Sequence, residues 1–166
     1  CHYGFQCYTQ ELSLKDRSLY WTKLLGKDPS YADKLSHEDL DSKDVPKRKL
    51  SLMWNQRSVD TPLGLPFNIA SYALLLEIIS KSVNMIPDQL IGNLGDVHIY
   101  KNQVKGVREQ LYRNPKPLPK MNINSGNSNW HLLEDIDDVI NSLDCESTFK
   151  IENYEYDPAI KFPLSN

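Results

Sequence analysis

The sequence predicts a mixed α/β domain, and three observations predict it. Two stretches, Cys1–Leu14 and Leu50–Asp60, alternate apolar and polar side chains with the period of two that marks a strand. Asn68–Ser82 is apolar on nearly every side, the composition of a helix buried in a large core and here the expected central helix. Strand-like and helix-like segments then keep alternating to the end of the chain.

In chain order, Cys1–Leu14 opens as a strand in which Cys1, Tyr3, Phe5 and Cys7 point one way and His2, Gln6 and Tyr8 the other. From Lys15 to Lys49 charges dominate, with two short helix-like segments at Asp16–Leu25 and Tyr31–Leu40. Asp28-Pro29-Ser30 reads as a stop and restart between them, and Ser36-His37-Glu38-Asp39 as a helix start. This segment behaves as an insertion between two strands, with no legible task. After the second strand, Thr61-Pro62-Leu63-Gly64-Leu65-Pro66 forms a turn into the central helix. Gln89–Tyr100 reads as a strand interrupted by Gly92 and Gly95, and Asn102–Tyr112 as a helix. A proline-punctuated connector follows at Asn114–Pro119, then a short strand at Met121–Asn124 and a polar loop at Ser125–Asn129. Leu132–Leu143 is a predicted surface helix and Phe149–Tyr154 a late strand.

Length and composition fit one domain. The 166 residues are 40% apolar and 25% charged with a net charge of -3, ordinary values for a globular protein. That balance lacks the basic footprint of a nucleic-acid binder, and Pro46-Lys47-Arg48-Lys49 reads as a solvated loop. No apolar run is long enough to span a membrane, so we expect a cytoplasmic protein. The three cysteines, Cys1, Cys7 and Cys145, show neither a disulfide framework nor metal-ligand spacing, and no metal is expected. The first residue is a cysteine rather than methionine, from which we expect a piece of a longer protein.

The chemistry-bearing residues concentrate around Gln56–Tyr72. Arg57-Ser58 offers a fork of N–H donors beside a hydroxyl, a pairing suited to phosphate, although an arginine in this setting equally makes a surface ion pair. Asp60 suits a turn that it caps through its own backbone, and Asn68 either caps the following helix or presents a donor and an acceptor to a pyrimidine edge. Cys1 is a small apolar residue or a nucleophile, and the nucleophile needs a cation nearby to favour its thiolate. Arg57 supplies that cation if the two strands are neighbours. Asp96, His98 and Tyr100 alternate along one strand face as a hydroxyl-binding edge, with a structural histidine as the plainer reading of His98; His37 and His131 read as surface residues.

Together these residues resemble thymidylate synthase. The resemblance rests on Cys1-His2 with Gln6 and Tyr8, Gln56-Arg57-Ser58-Val59-Asp60, Leu63-Gly64-Leu65-Pro66-Phe67-Asn68-Ile69-Ala70-Ser71-Tyr72, Gly95-Asp96-Val97-His98-Ile99-Tyr100 and Pro158-Ala159-Ile160-Lys161. It covers essentially the whole chain but only the C-terminal part of the family's catalytic domain. It implies a layered α/β sandwich with a large twisted sheet and a central buried helix, assembled as a homodimer. It also implies reductive methylation of dUMP to dTMP, with 5,10-methylenetetrahydrofolate as co-substrate. By the resemblance, Cys1 is the nucleophile toward the uracil ring. Arg57, Ser58, Asp60, Asn68, His98 and Tyr100 bind dUMP, while Asp60, Leu63, Gly64, Phe67 and Ser165 lie along the folate under a closing C-terminal tail. The family's other phosphate-binding arginines and its proton-managing glutamate have no counterpart in this chain, which implies a missing N-terminal half as partner. Two departures are visible: the longer connection at Lys15–Lys49, and the tail Pro163-Leu164-Ser165-Asn166, where the family ends in small and branched apolar residues. Hydroxymethylation of dUMP or dCMP by the same family, and an inactive fragment serving as an association module, are the alternatives.

Overall fold

The computed structural model describes residues 1–124, 137 and 145–164. The loop expected at Ser125–Asn129, the helix expected at Leu132–Leu143, His131 and Ser165 lie outside them.

Strand β1 (His2–Glu11) pairs antiparallel with β2 (Arg48–Asp60), which pairs in parallel with β3 (Ile86–His98). The sheet order is therefore β1-β2-β3. Parallel neighbours require a crossover, and helix α3 (Leu65–Ser82) supplies it. A second sheet pairs β4 (Lys120–Ile123) antiparallel with β5 (Phe149–Glu152), the latter preceded by one helical turn at Cys145–Thr148.

Local chemistry explains the boundaries. β1 stops at Glu11 because Ser13 caps α1 (Leu14–Leu24), its hydroxyl accepting from the Asp16 N–H at 3.1 Å. The helix expected at Tyr31–Leu40 is instead two pieces. Asp28 caps a 3-10 turn at Pro29–Lys34, and Ser36 with Asp39 forms a capping box that starts α2 (His37–Asp41). α3 begins three residues before Asn68, with Pro66 in its first turn, where a missing N–H costs nothing. After β3, a 3-10 turn at Lys101–Gln103 leads into α4 (Val104–Leu111).

The core lies between one face of the sheet and α3. Leu50, Leu52 and Trp54 of β2 meet Leu76, flanked by Tyr72, Leu75, Ile79, Met85, Leu90 and Leu94. Tyr72 stacks on Trp54 with ring centroids 5.2 Å apart. Gly92 of β3 fits there because a Cβ would come within 2.5 Å of the Trp54 ring, and Gly95 because a Cβ would meet the Arg57 carbonyl at 2.6 Å. The two glycines thus do not interrupt the strand; they let it close on β2.

Burial of α3 on every side is a correction to the sequence reading. Among its residues only Leu76 and Ser80 are fully buried, while Phe67 and Ile69 are exposed. The described residues place a sheet against one side of the helix and leave its other apolar surface open.

Candidate active site

A bulge corrects the faces assigned to β1. His2 pairs with Gln56 but Gly4 with Asn55, so one extra residue intervenes and the alternation changes phase. His2 consequently shares a face with Phe5, Cys7 and Trp54, the side on which α3 packs, and its Nδ1 hydrogen-bonds the Tyr72 hydroxyl at 3.2 Å. Cys1 falls opposite Arg57, whose backbone N–H donates to the Cys1 carbonyl at 3.0 Å. Cross-strand partners project to one side, so the strand order brings the cysteine and the arginine to the same face, Cys1 sharing it with Gln6 and Tyr8 rather than with Phe5 and Cys7. Both are exposed.

Asn68 is not the helix cap, since α3 already starts at Leu65 with Gly64 before it. Its Oδ1 instead accepts from Gln56 Nε2 at 3.0 Å. Gln56 is itself held: Oε1 accepts from Trp54 Nε1 at 3.2 Å, and Nε2 donates also to the Ser58 carbonyl at 3.0 Å. Buried at 4% exposure, this glutamine fixes the oxygen of the Asn68 amide.

The carboxylate of Asp60 does what the turn reading expected and more. Its Oδ1 accepts from the Leu63 N–H at 3.2 Å, and its carbonyl accepts from the Gly64 N–H at 2.9 Å, closing the turn into α3. Its Oδ2 accepts from Gln103 Nε2 at 3.0 Å. Gly64 lies close over this turn, where a Cβ would stand 3.2 Å from the Asp60 carbonyl.

At the end of β3 the expected three-residue polar face is only partly formed, because the strand stops at His98 and Tyr100 lies beyond it. The His98 and Tyr100 rings still meet edge to face at 4.8 Å. His98 Nδ1 hydrogen-bonds the Asp96 carbonyl at 3.1 Å, and the His98 carbonyl accepts from the Thr61 N–H and hydroxyl at 3.1 and 2.9 Å. Thr61 thereby ties the carboxyl ends of β2 and β3 together.

Ser58, Asp60, Asn68, His98 and Tyr100 thus lie at the carboxyl ends of two parallel strands and the first turn of the crossover helix, while Arg57, at the same end of β2, is on the opposite face with Cys1. Phe67 sits there with its ring open to solvent, at 73% exposure. The sequence reading missed Gln56 and Gln103 as organisers. For Gln56 a signal existed, since a polar residue continues the buried register of Leu52 and Trp54. For Gln103 none did, because Lys101-Asn102-Gln103-Val104-Lys105 has the composition of a surface segment. Among the described residues no group of three or more His, Cys, Asp or Glu is placed to hold a metal ion, and no helix is long and apolar enough to cross a membrane.

The fold and this cluster define an α/β protein with its candidate site at the carboxyl ends of parallel strands, where crossover folds commonly take ligands. The pattern of the thymidylate synthase family matches residues 1–166. The chain belongs to the thymidylate synthase family. It is 44% identical over 119 residues to the thymidylate synthase of Saccharomyces cerevisiae, covering 72% of this chain and 36% of the yeast protein. To a probable thymidylate synthase of Escherichia phage T5 it is 34% identical over 166 residues, all of this chain and 44% of that protein. The crystal structure of thymidylate synthase from T4 phage superposes with a TM-score of 0.62 at 41% identity, covering 70% of this chain and 41% of that one. The chain therefore spans less than half the length of these relatives.

Proposed function

We propose that this chain is the nucleophile-bearing part of a thymidylate synthase catalytic domain. In this reading it works with the portion of the fold that its 166 residues do not span, in a cytoplasmic homodimer, to convert dUMP to dTMP with 5,10-methylenetetrahydrofolate. The Cys1 thiolate adds to C6 of the uracil and the electron pair moves to C5, which takes up the one-carbon unit. Loss of the C5 proton expels the folate nitrogen and leaves an exocyclic methylene; hydride from the tetrahydrofolate so released completes the methyl group as Cys1 departs, and dihydrofolate remains. A covalent route of this kind divides one difficult substitution into easier steps. Arg57 and Ser58 hold the nucleotide phosphate, with Arg57 also favouring the thiolate; His98 and Tyr100 take the ribose hydroxyl. Asp60, Leu63, Gly64 and Phe67 line the folate, and the segment 15–49 is an insertion in the domain.

The observation that carries this reading is the Gln56–Asn68 pair. With its oxygen engaged by Gln56 at 3.0 Å, the Asn68 amide has its NH2 to offer a ligand. A donor there suits uracil, which presents a carbonyl at C4, and opposes cytosine, which presents an amino group.

The test is product analysis with the chain assembled with the remainder of its fold, given dUMP and methylenetetrahydrofolate. We expect dTMP and dihydrofolate in equal amounts, no turnover by Cys1→Ser, and none by the 166-residue chain alone. A hydroxymethylated nucleotide formed without dihydrofolate contradicts the methylation reading.

A further inference from the structure

Gln103 is fully buried at 0% exposure in a segment whose neighbours Lys101 and Asn102 are exposed. Its amide meets three separate parts of the molecule. Nε2 donates to Asp60 Oδ2 at 3.0 Å and to the Pro163 carbonyl at 3.2 Å, while Oε1 accepts from the Tyr100 N–H at 3.1 Å. Both N–H bonds and the acceptor of one side chain are thereby engaged. Two further contacts seat the same C-terminal segment along α4. Arg113 Nη1 donates to the Pro158 carbonyl at 2.7 Å, and Gly106 leaves room for Phe162, whose ring a Cβ would approach to 2.6 Å.

We propose that Gln103 is a positioning residue that couples the C-terminal segment 158–164 to the Asp60 carboxylate and the Tyr100 backbone, so that seating of the tail and orientation of the folate contact are one event. The proposal rests on the reading of Asp60 as a folate contact given above. It follows from what the amide offers: with Pro163 withdrawn, one N–H loses its partner in a buried place, and with Asp60 rotated, the other does. A buried donor without a partner is unfavourable, so the two contacts favour each other. Acting through Asp60 rather than on the reacting atoms, Gln103 affects the folate step selectively.

Two variants test this in the assembled enzyme. Gln103→Glu keeps the shape but sets a carboxylate against the Asp60 carboxylate and the Pro163 carbonyl. Gly106→Ala leaves Gln103 intact, improves helix propensity, and crowds Phe162 out of its seat. For both we expect the KM for methylenetetrahydrofolate to rise about tenfold or more, by loss of one or two charge-assisted or neutral hydrogen bonds, with the KM for dUMP changed less than about twofold. Amide hydrogen exchange across 158–164 should accelerate in both. Equal rises in both KM values, or unchanged exchange in the tail of both variants, overturns the proposal. Hydrogen exchange needs no turnover: a wild type that fails to make dTMP refutes the reaction reading, while the exchange result still decides the coupling.

Discussion

Single side chains hold together the parts of this molecule that the backbone alone leaves loose. Arg17 is the clearest case, a guanidinium with 3% side-chain exposure in α1. Its Nε donates to the Pro46 carbonyl at 3.1 Å and Nη2 to the Val45 carbonyl at 2.9 Å, while Nη2 also pairs with Asp41 at 2.6 Å. Nη1 meets His37 Nδ1 at 3.0 Å, and since arginine only donates, that ring nitrogen is the acceptor. The pair formed with Arg17 and Lys47 holds the Asp41 carboxyl below its ordinary value, chiefly by hydrogen bonds from Lys47 and then Arg17. We expect Arg17→Met to lower stability by about 3 kcal/mol, the cost of leaving two buried carbonyls without donors. Arg17→Lys should recover little of it, because a single ammonium does not reproduce the fork. Urea denaturation of the three proteins checks both statements. The sequence carried no sign of this role, since Lys15-Asp16-Arg17-Ser18 has the look of a solvated helix face.

At the scale of elements, the period-two signal located both β1 and β2, although only β2 alternates buried with less buried residues while β1 is exposed along nearly its whole length, and the long apolar run located α3. Boundaries moved wherever a cap or a proline acted: Ser13, Asp28, Ser36 and Pro66 each set an end. What periodicity cannot register is a bulge, and the one between His2 and Gly4 exchanged the faces of Cys1 and His2. The arginine beside the cysteine was legible from strand adjacency, and Gln56 carried a signal in the buried register of β2, whereas Gln103 was hidden because Asp60 and Pro163, the partners that set its role, are distant in sequence. α3 also carries a mismatch. Glu77 lines a cavity of about 410 Å³ with Tyr20, Trp21 and Met85, and burial lifts its carboxyl above the ordinary 4.5. Burial, and then the charge of Glu77, likewise raises Tyr20. A raised carboxyl binds its proton more tightly in the folded chain, so the contribution of Glu77 to stability is greatest below pH 4.5 and is lost as pH rises through the folded value. Glu77→Gln should therefore raise the urea midpoint at pH 7.5, with the gain disappearing on acidification below pH 4.5. A gain that persists at low pH contradicts this account of Glu77.

The whole molecule exposes apolar surface in a pattern that fits a part of a larger assembly. Tyr3, Phe5 and Tyr8 of the edge strand β1 are at least half exposed, as are Phe67 of α3 and Leu111 of α4. Surface of that kind on a strand edge and along a helix is what further strands, or a second copy, cover. The family pattern spans all 166 residues, yet the 119 matched residues cover only 36% of the yeast relative and the full 166 only 44% of the phage T5 relative. On the proposed reading, Cys1, set beside Arg57 by the bulged β1–β2 pairing, is the nucleophile that adds to the pyrimidine. The most direct measurement is mass spectrometry of the assembled protein after incubation with 5-fluoro-dUMP and methylenetetrahydrofolate, because fluorine at C5 blocks the proton loss that would release the nucleotide. The account predicts a covalent nucleotide on the peptide containing Cys1, absent in Cys1→Ser; an adduct at Cys7 or Cys145, or none at all from an assembly that makes dTMP, contradicts it.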